Sequence, residues 1–398
     1  MRAVRSVALR RALFAALGAA LGVGAPSTRA PAQQATPPAP HRPALEAGAD
    51  TNDWEAYYDV GLTLARSRPD RAAAAFWWAS RLAPERAEPL YALWVESWLE
   101  RRALFLAYMN GHGVDSPETR SVDSLQTLAL IRDPFVHQGF VRVLQAAKAD
   151  EELGAGSWKW NASPETVAWL DYTEGRFDRA AASFAKAIRK EPERLDLHVA
   201  RARALAGQLR LDSATAELVW VLDAMRRADR TRLVYVYDSK AMFEYSVGTL
   251  QARRKDYAAA RAAFARAVEE DITFHAAHAE MAKLAYFEGD TAGAVREFEA
   301  AVSVAPSDPV VAYDFGAMLL AAKRAPEAVE QLRRAVALAP DYAAARYNLA
   351  IALESTGHAD EAINQYAAFV VRAPRSLAAQ AESALDRIAA LGQGAPGK

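Results

Sequence analysis

The residue types that could perform chemistry are few in this chain. His275 and His278 lie three residues apart in a helical pattern, a spacing that could place two imidazoles on one metal ion. The pattern fixes no third ligand, because Glu280 falls on another side of the helix and the HExxH arrangement of zinc peptidases is absent. His278 also falls where repeats pack together. We therefore expect a structural role for His278 and predict neither a metal site nor a cofactor.

Motifs for other reactions are missing downstream of residue 32. The sequence contains no phosphate-binding loop, nucleophile elbow or glycine-rich dinucleotide turn. Glu, Asp and Arg alternate along the helical stretches, as is typical of solvent-facing sides. We predict that the protein is not an enzyme. The alternative is an enzyme with an unrecognised site in the irregular segment 88–160.

A period of 34 residues organises residues 275–374. Three sets of equivalent positions are Phe298, Leu332 and Tyr366; Ala294, Ala328 and Ala362; and Pro306, Pro340 and Pro374. A fixed period of 20–50 residues is typical of stacked repeats, in which each copy is one supersecondary unit.

The copy at 309–342 predicts two helices. Asp308 and Pro309 form a helix-start signal, and Pro340 ends the second helix because its ring cannot continue the hydrogen-bond ladder. Gly316 lies in the middle of the first helix, and Ala282 and Ala350 take its place in the flanking copies. This position therefore requires a small side chain beside a neighbouring helix.

The order of residues within a copy resembles the tetratricopeptide repeat, a pair of antiparallel helices. The resemblance covers residues 53–85 and 161–392 and is specific at 241–374. It implies an all-α fold, a right-handed α-solenoid of antiparallel helix pairs with a C-terminal capping helix. First helices line the concave face of such arrays, which often binds extended peptides. Positions carried over from the family predict a groove lined by Tyr245, Thr249, Arg253, Lys283, Tyr286, Tyr313, Asp314, Tyr347, Asn348 and Glu354.

Two interpretations of the groove residues remain open. Tyrosines can stack on a peptide while their hydroxyls bind its backbone. Alternatively, Tyr313 and Tyr347 are ordinary pattern residues that fill space between repeats. Some members of the family clamp a C-terminal carboxylate with lysine and asparagine, and only Asn348 and Lys283 match those residue types.

The N-terminus predicts export. Residues 1–32 combine a cationic start, an apolar run from Ala12 to Ala25 and a small-x-small cleavage pattern, as in a secretory signal peptide. The run is too short to cross a bilayer, which favours a cleaved signal peptide over an uncleaved anchor. We expect no membrane span after cleavage. Residues 33–50 are predicted to be a Pro-rich disordered linker. The chain has no cysteine. We expect a bacterial protein of the periplasm or the medium.

The remaining boundaries follow from the pattern. Residues 51–160 are assigned to divergent N-terminal helical repeats or an insertion, 161–375 to the repeat array, 376–392 to the capping helix and 393–398 to a disordered tail. A helix is expected from about Pro89 to Asn110, and further helices are expected to start at Ser116-Pro117 and Ser163-Pro164. Gly61 is placed at the small position of a first helix. Gly207 is placed in register within a unit at 193–226 whose second helix is shifted by about two residues. The apolar run in 227–240 is interpreted as helix rather than strand. Leu377, Ala381, Leu385 and Ile388 are expected to form the apolar stripe of the capping helix.

The net charge limits the class of partner that the sequence predicts. The formal charge is −1, so no basic excess supports nucleic-acid binding. The sequence therefore predicts a non-catalytic scaffold that binds a protein or extended peptide in the concave groove. A structural subunit of a cell-envelope or secretion assembly is the second hypothesis, and the oligomeric state is left open.

Overall fold

The structure, a computed structural model, describes residues 39–65, 67–100, 117–135, 164–173, 175–229 and 239–393. The described residues form seventeen α-helices and one 3-10 turn, and they contain no strand. The predicted all-α fold of antiparallel helix pairs is confirmed.

The helices follow the repeat pattern along the chain. Their bounds are α1 Trp54–Leu64, α2 Pro69–Leu82, α3 Glu88–Glu100, α4 Pro117–Arg132, α5 Pro164–Thr173, α6 Phe177–Ile188, α7 Leu195–Gly207, α8 Leu211–Asp229, α9 Lys240–Arg253, α10 Tyr257–Glu270, α11 His275–Phe287, α12 Thr291–Val304, α13 Pro309–Ala321, α14 Ala325–Leu338, α15 Ala343–Ser355, α16 Ala359–Arg372 and α17 Ala378–Gln393, with the 3-10 turn at Arg375–Leu377.

The chain divides into two compact units. The first comprises residues up to 44, 58–77 and 86–254, and the second comprises residues 45–57, 78–85 and 255 onward. In the first unit α3 packs on α4, α5 on α6 and α7 on α8, while α6 also contacts α7 and α8 contacts α9. Gly61 confirms its predicted place there, because a β-carbon would lie 2.4 Å from the ring of Phe76.

The second unit shows the repeat geometry most clearly. Helices α11 and α12, α13 and α14, and α15 and α16 form pairs, and each second helix packs on the next first helix. First helices also contact each other, α11 with α13 and α13 with α15. A β-carbon on Gly316 would lie 2.6 Å from Cγ of Leu332, which explains why the first helix needs a small residue at that point. Phe298 and Phe315 stack with ring centroids 5.2 Å apart in the core.

The helix starts agree with the sequence signals. Asp308 caps α13, because its side chain accepts a hydrogen bond from the backbone N–H of Val310 at 2.9 Å, and Pro309 occupies the first helical position. Helices α4 and α5 begin at Pro117 and Pro164, as predicted.

One register assignment is wrong. Gly207 is the last residue of α7, and a β-carbon at this position would come within 2.8 Å of the ring of Phe177. The turn residue is Leu209, which has a φ of 60° and lies 34 residues after Gly175. The unit at 193–226 therefore keeps the family register, and its second helix begins without a shift at Leu211.

The predicted stripe of the capping helix also needs a correction. Leu385 is 52% exposed, whereas Ala384 is fully buried against the core. Leu377, Ala381 and Ile388 are partly buried as expected. The stripe runs through Ala384 because successive inward positions on a helix alternate between three and four residues.

Several predictions fall outside the described residues. These are the signal peptide 1–32, the first part of the linker 33–50, the extension of α3 beyond Glu100, residues 230–238 of the apolar run and the tail 394–398. Among the described helices, none has the length and apolar character that crossing a membrane requires.

Candidate functional site

The candidate site is the face formed by the first helices α11, α13 and α15 of the second unit, called the first-helix face below. Contacts of α11 with α13 and of α13 with α15 place these helices side by side. Helical periodicity turns Phe315 and Leu319 into the core and leaves other positions on the face. Seven predicted residues lie on these three helices: Lys283, Tyr286, Tyr313, Asp314, Tyr347, Asn348 and Glu354.

Lys283 is held between two carboxylates. Its Nζ lies 2.9 Å from Oε1 of Glu280 and 2.8 Å from Oδ2 of Asp314. Burial disfavours the charged ammonium, but the two carboxylates outweigh it and raise the pKa of Lys283. The Lys283 side chain is still 44% exposed, so water screens these ion pairs. Lys283 therefore presents an ammonium paired with two carboxylates, not a lone cation.

Tyr313 packs against the start of α15. Its ring lies 4.9 Å from that of Tyr342, the N-cap residue of α15. Burial raises the pKa of Tyr313, and the carboxylates of Asp314 and Glu85 add to the increase. Of the two side chains suggested for a carboxylate clamp, Lys283 already has partners within the fold.

Tyr286 and Tyr347 are partly buried against the core of the second unit. The ring of Tyr347 lies 4.9 Å from that of Phe369 and 6.0 Å from that of Tyr366. These contacts place the Tyr347 ring against the second helix of its own repeat. The role of the tyrosines in binding a peptide stays a prediction.

Glu354 ties three helices together at the C-terminal side of the face. Its Oε2 accepts hydrogen bonds from the hydroxyl of Tyr366 at 2.7 Å and from Nη1 of Arg387 at 2.6 Å. Burial and the hydrogen bond to Glu354 raise the pKa of Tyr366. Glu354 therefore links α15 to α16 and to the capping helix α17.

The other three predicted residues lie on α9 in the first unit. Tyr245 is only 5% exposed, and its hydroxyl donates to the carbonyl of Ile131 at 2.9 Å. The prediction that Tyr245 lines an open groove is therefore wrong, because α4 covers that side of α9. Thr249 donates to the carbonyl of Tyr245, and Arg253 binds both oxygens of Asp133 at 3.0 Å.

Sequence reasoning missed Phe287, the last residue of α11. Its side chain is 71% exposed, and its ring lies 5.2 Å from that of Tyr257. A useful signal was available: Phe287 is 34 residues before Ala321, so it occupies an outward position of the repeat where a large apolar residue is not needed for stacking.

The two histidines have structural partners. His278 lies with Nδ1 2.7 Å from Oε2 of Glu297 and Nε2 3.3 Å from the carbonyl oxygen of Ile272. Nε2 of His275 lies 3.6 Å from Oδ2 of Asp308. Within the described ranges, no three His, Cys, Asp or Glu side chains come together as metal ligands.

Comparison with known proteins agrees with this geometry. A sequence profile described as tetratricopeptide repeat matches residues 319–385, and a second profile with that description matches residues 168–219 and 280–343. No curated protein matches the sequence.

Several solved structures are similar at low identity. YrrB, described as a TPR protein with an unusual peptide-binding site, is 19% identical with a TM-score of 0.40, over 52% of this chain and 100% of that chain. The C-terminal part of a TPR repeat-containing protein from Cytophaga hutchinsonii is 15% identical with a TM-score of 0.44, over 57% and 95%. A chain of the APC/C hetero-tetramer Cut9–Hcn1 is 13% identical with a TM-score of 0.43, over 85% and 76%.

The profile matches and the paired helices lead to one conclusion: the chain contains tetratricopeptide repeats, at residues 168–219 and 280–385.

Proposed function

We propose that the protein is a non-catalytic scaffold that binds a protein or an extended peptide on the first-helix face. Tetratricopeptide proteins generally mediate protein–protein interaction, which supports the class of function. The observation that supports the location is the contact of α11, α13 and α15, which places Tyr286, Tyr313 and Tyr347 on successive helices, with the exposed Phe287 on the first of them.

The fixed contacts of the face suit this role. Lys283 and Asp314 are oriented before any partner arrives, by the ion pair between them. A pre-organised surface loses less conformational entropy on binding. The partly buried tyrosine rings supply apolar contact area, and Phe287 supplies an aromatic side chain that a partner could cover.

We also propose that the protein is exported by a bacterium. The support is the cationic and apolar pattern of residues 1–32, followed by Ala30-Pro31-Ala32. N-terminal sequencing of protein recovered from the periplasm or medium tests this proposal. A mature start near Gln33 is expected, and an intact Met1 on exported protein would contradict it.

Site-specific photo-crosslinking tests the binding face. A benzoylphenylalanine at position 287 is compared with the same group at position 385, because Phe287 and Leu385 are both large, exposed and apolar in the second unit. We expect position 287 to capture a partner that position 385 does not. Equal capture at both positions, or capture at 385 alone, would contradict the location.

The captured protein then allows a quantitative test. Phe287→Ala should weaken its binding by about tenfold or more, because an aromatic side chain that a partner covers can contribute about 1.4 kcal/mol or more. Leu385→Ala is the matched control and should leave binding unchanged. Substitution of the three tyrosines is less informative, since their rings also pack on the core.

A further inference from the structure

Residues 48–52, called the N-terminal turn below, lie on the junction between α16 and α17. Oδ2 of Asp50 accepts a hydrogen bond from the backbone N–H of Arg375 at 2.6 Å, and Nδ2 of Asn52 donates to the carbonyl of Val371 at 2.9 Å. Nη2 of Arg375 donates to the carbonyl of Gly48 at 3.1 Å. These bonds join residues 319 to 327 positions apart within the second unit.

Side chains of the N-terminal turn bind the two backbone groups that a helical hydrogen bond would otherwise pair. In a continuous helix the Arg375 N–H would donate to the Val371 carbonyl, four residues earlier. Pro374 separates α16 from α17, because its backbone is extended with φ −68° and ψ 160°. The helical bond from Arg375 to Val371 therefore does not form. Asp50 then supplies the acceptor for the N–H, and Asn52 supplies the donor for the carbonyl. Helix ends expose such groups for binding.

The N-terminal turn has an ordered shape of its own. Oδ1 of Asp50 accepts from the backbone N–H of Asn52 at 2.9 Å, which leaves Oδ2 for Arg375. The backbone N–H of Asp53 donates to the carbonyl of Asp50 at 3.2 Å. Gly48 has a φ of 86°, a conformation that glycine adopts without a steric penalty. The recognised element is therefore a compact turn with Asp and Asn two residues apart.

A second contact reaches the equivalent junction one repeat earlier. Nη1 of Arg81, near the end of α2, donates to the carbonyl of Leu338 at 3.5 Å, and Nη2 lies 4.0 Å from Asp341. Asp341 also pairs with Arg372 at 3.7 Å, so the α14/α15 and α16/α17 junctions are linked. Leu338 and Arg372 are 34 residues apart and occupy the same position of the repeat.

We propose that the α16/α17 junction forms a second recognition surface for polypeptide, and that the N-terminal turn is its built-in occupant. The surface selects an acidic turn whose carboxylate accepts from a helix-start N–H and whose amide donates to a helix-end carbonyl. The contacts of the turn are solvent-exposed, and water competes for both partners of such bonds. A partner segment with the same Asp-x-Asn turn can therefore replace it. This surface is separate from the first-helix face and does not depend on the function proposed for that face.

The test uses the full-length protein and a synthetic peptide of residues 44–53. Two chains are prepared with a weakened turn: one carries Asp50→Ala and Asn52→Ala, and the other exchanges the two residues through Asp50→Asn and Asn52→Asp. The exchange keeps composition and net charge. The backbone amide resonance of Arg375 in a nitrogen-15 spectrum reports occupancy, since this N–H donates to Asp50. Unchanged resonances from the rest of the chain show that the variants fold.

We expect the peptide to shift the Arg375 resonance in both weakened chains. Its apparent affinity for the natural chain should be weaker by about tenfold or more, because the tethered turn competes at a high effective concentration. A peptide with Asp50 and Asn52 exchanged should fail to shift the resonance. The proposal would be overturned if neither weakened chain responded to the peptide. It would also be overturned if the natural chain responded as strongly as the weakened chains, or if the exchanged peptide shifted the resonance as much as the natural peptide.

Discussion

At the residue scale, one position of the first helix ties three repeats to the second helix before them. His198, His278 and Arg346 each contact the carbonyl oxygen six residues earlier and a side chain nineteen residues later: Pro192 and Glu217, Ile272 and Glu297, and Pro340 and Gln365 respectively. Ala312 occupies this position in the copy between, and there Arg334 donates to the carbonyl of Pro306 at 2.7 Å instead. The carbonyl at the end of the preceding second helix is thus bound in these four copies. In α9 the equivalent position is Glu244, which accepts a hydrogen bond from Arg226 instead.

The first prediction exchanges the side chains at this position. His278→Ala should lower the free energy of unfolding by about 1–3 kcal/mol, because the Ile272 carbonyl and the Glu297 carboxylate lose their partner. His278→Arg should keep most of that stability, since Arg346 makes both bonds in the equivalent place. Urea unfolding measures both. A loss for His278→Arg as large as that for His278→Ala would show that the side-chain contacts do not matter.

The candidate site was only partly predictable at this scale. The period placed Lys283 and Tyr313 on their helices, because outward positions recur with the repeat. It did not reveal that Lys283 pairs with Asp314, since the outward residues of adjacent copies meet only once the helices stack. It also did not show that Tyr245 is buried, because its partner Ile131 comes from a segment without a clear period.

At the element scale, the turn between the two helices of a repeat needs one residue with a left-handed backbone. Gly175, Gly289 and Gly357 provide it in three copies, and Leu209, Lys255 and Lys323 have φ values of 60°, 64° and 62° in three more. Residues with a β-carbon are strained in this conformation by about 1–2 kcal/mol. Three turns therefore hold strain that glycine would remove.

The second prediction follows from this strain. Lys323→Gly should raise the free energy of unfolding by about 1 kcal/mol, which thermal unfolding can measure. Lys323→Ala is the matched control, because it removes the long side chain but keeps the β-carbon, and it should change little. Gly289→Lys should lower stability by a similar amount. If alanine stabilises as much as glycine, the backbone conformation is not the cause.

Most elements could be read from the sequence. Asp308 with Pro309, Pro117 and Pro164 marked helix starts that the structure confirms, because cap chemistry acts locally. The error at Gly207 had a physical reason. A glycine was expected at the turn, but Leu209 adopts the left-handed conformation, and packing against Phe177 explains the glycine two residues earlier. Composition alone cannot distinguish these two uses of glycine.

At the scale of the whole molecule, the core is built from equivalent contacts repeated along each unit. Phe184, Phe264 and Phe298 occupy the same position of their second helices, and each is at most 1% exposed. The ring of Phe184 lies 5.1 Å from that of Trp169 in its own repeat, and the ring of Phe298 lies 5.2 Å from that of Phe315 in the next repeat. Stability in repeat proteins is accordingly a sum of local terms between neighbours.

The third prediction tests whether that locality holds. Phe298→Ala should cost about 3–5 kcal/mol, because it removes a buried ring and leaves a cavity beside Phe315. Since repeats contact mainly their neighbours, loss of amide-exchange protection should concentrate in α11 to α14. Phe184→Ala in the first unit is the matched control, and its losses should concentrate in α5 to α8. The two variants should therefore produce different maps of weakened protection. Uniform loss over both units in either variant would mean that the whole chain unfolds as one cooperative body, and a local description of its stability would then be wrong.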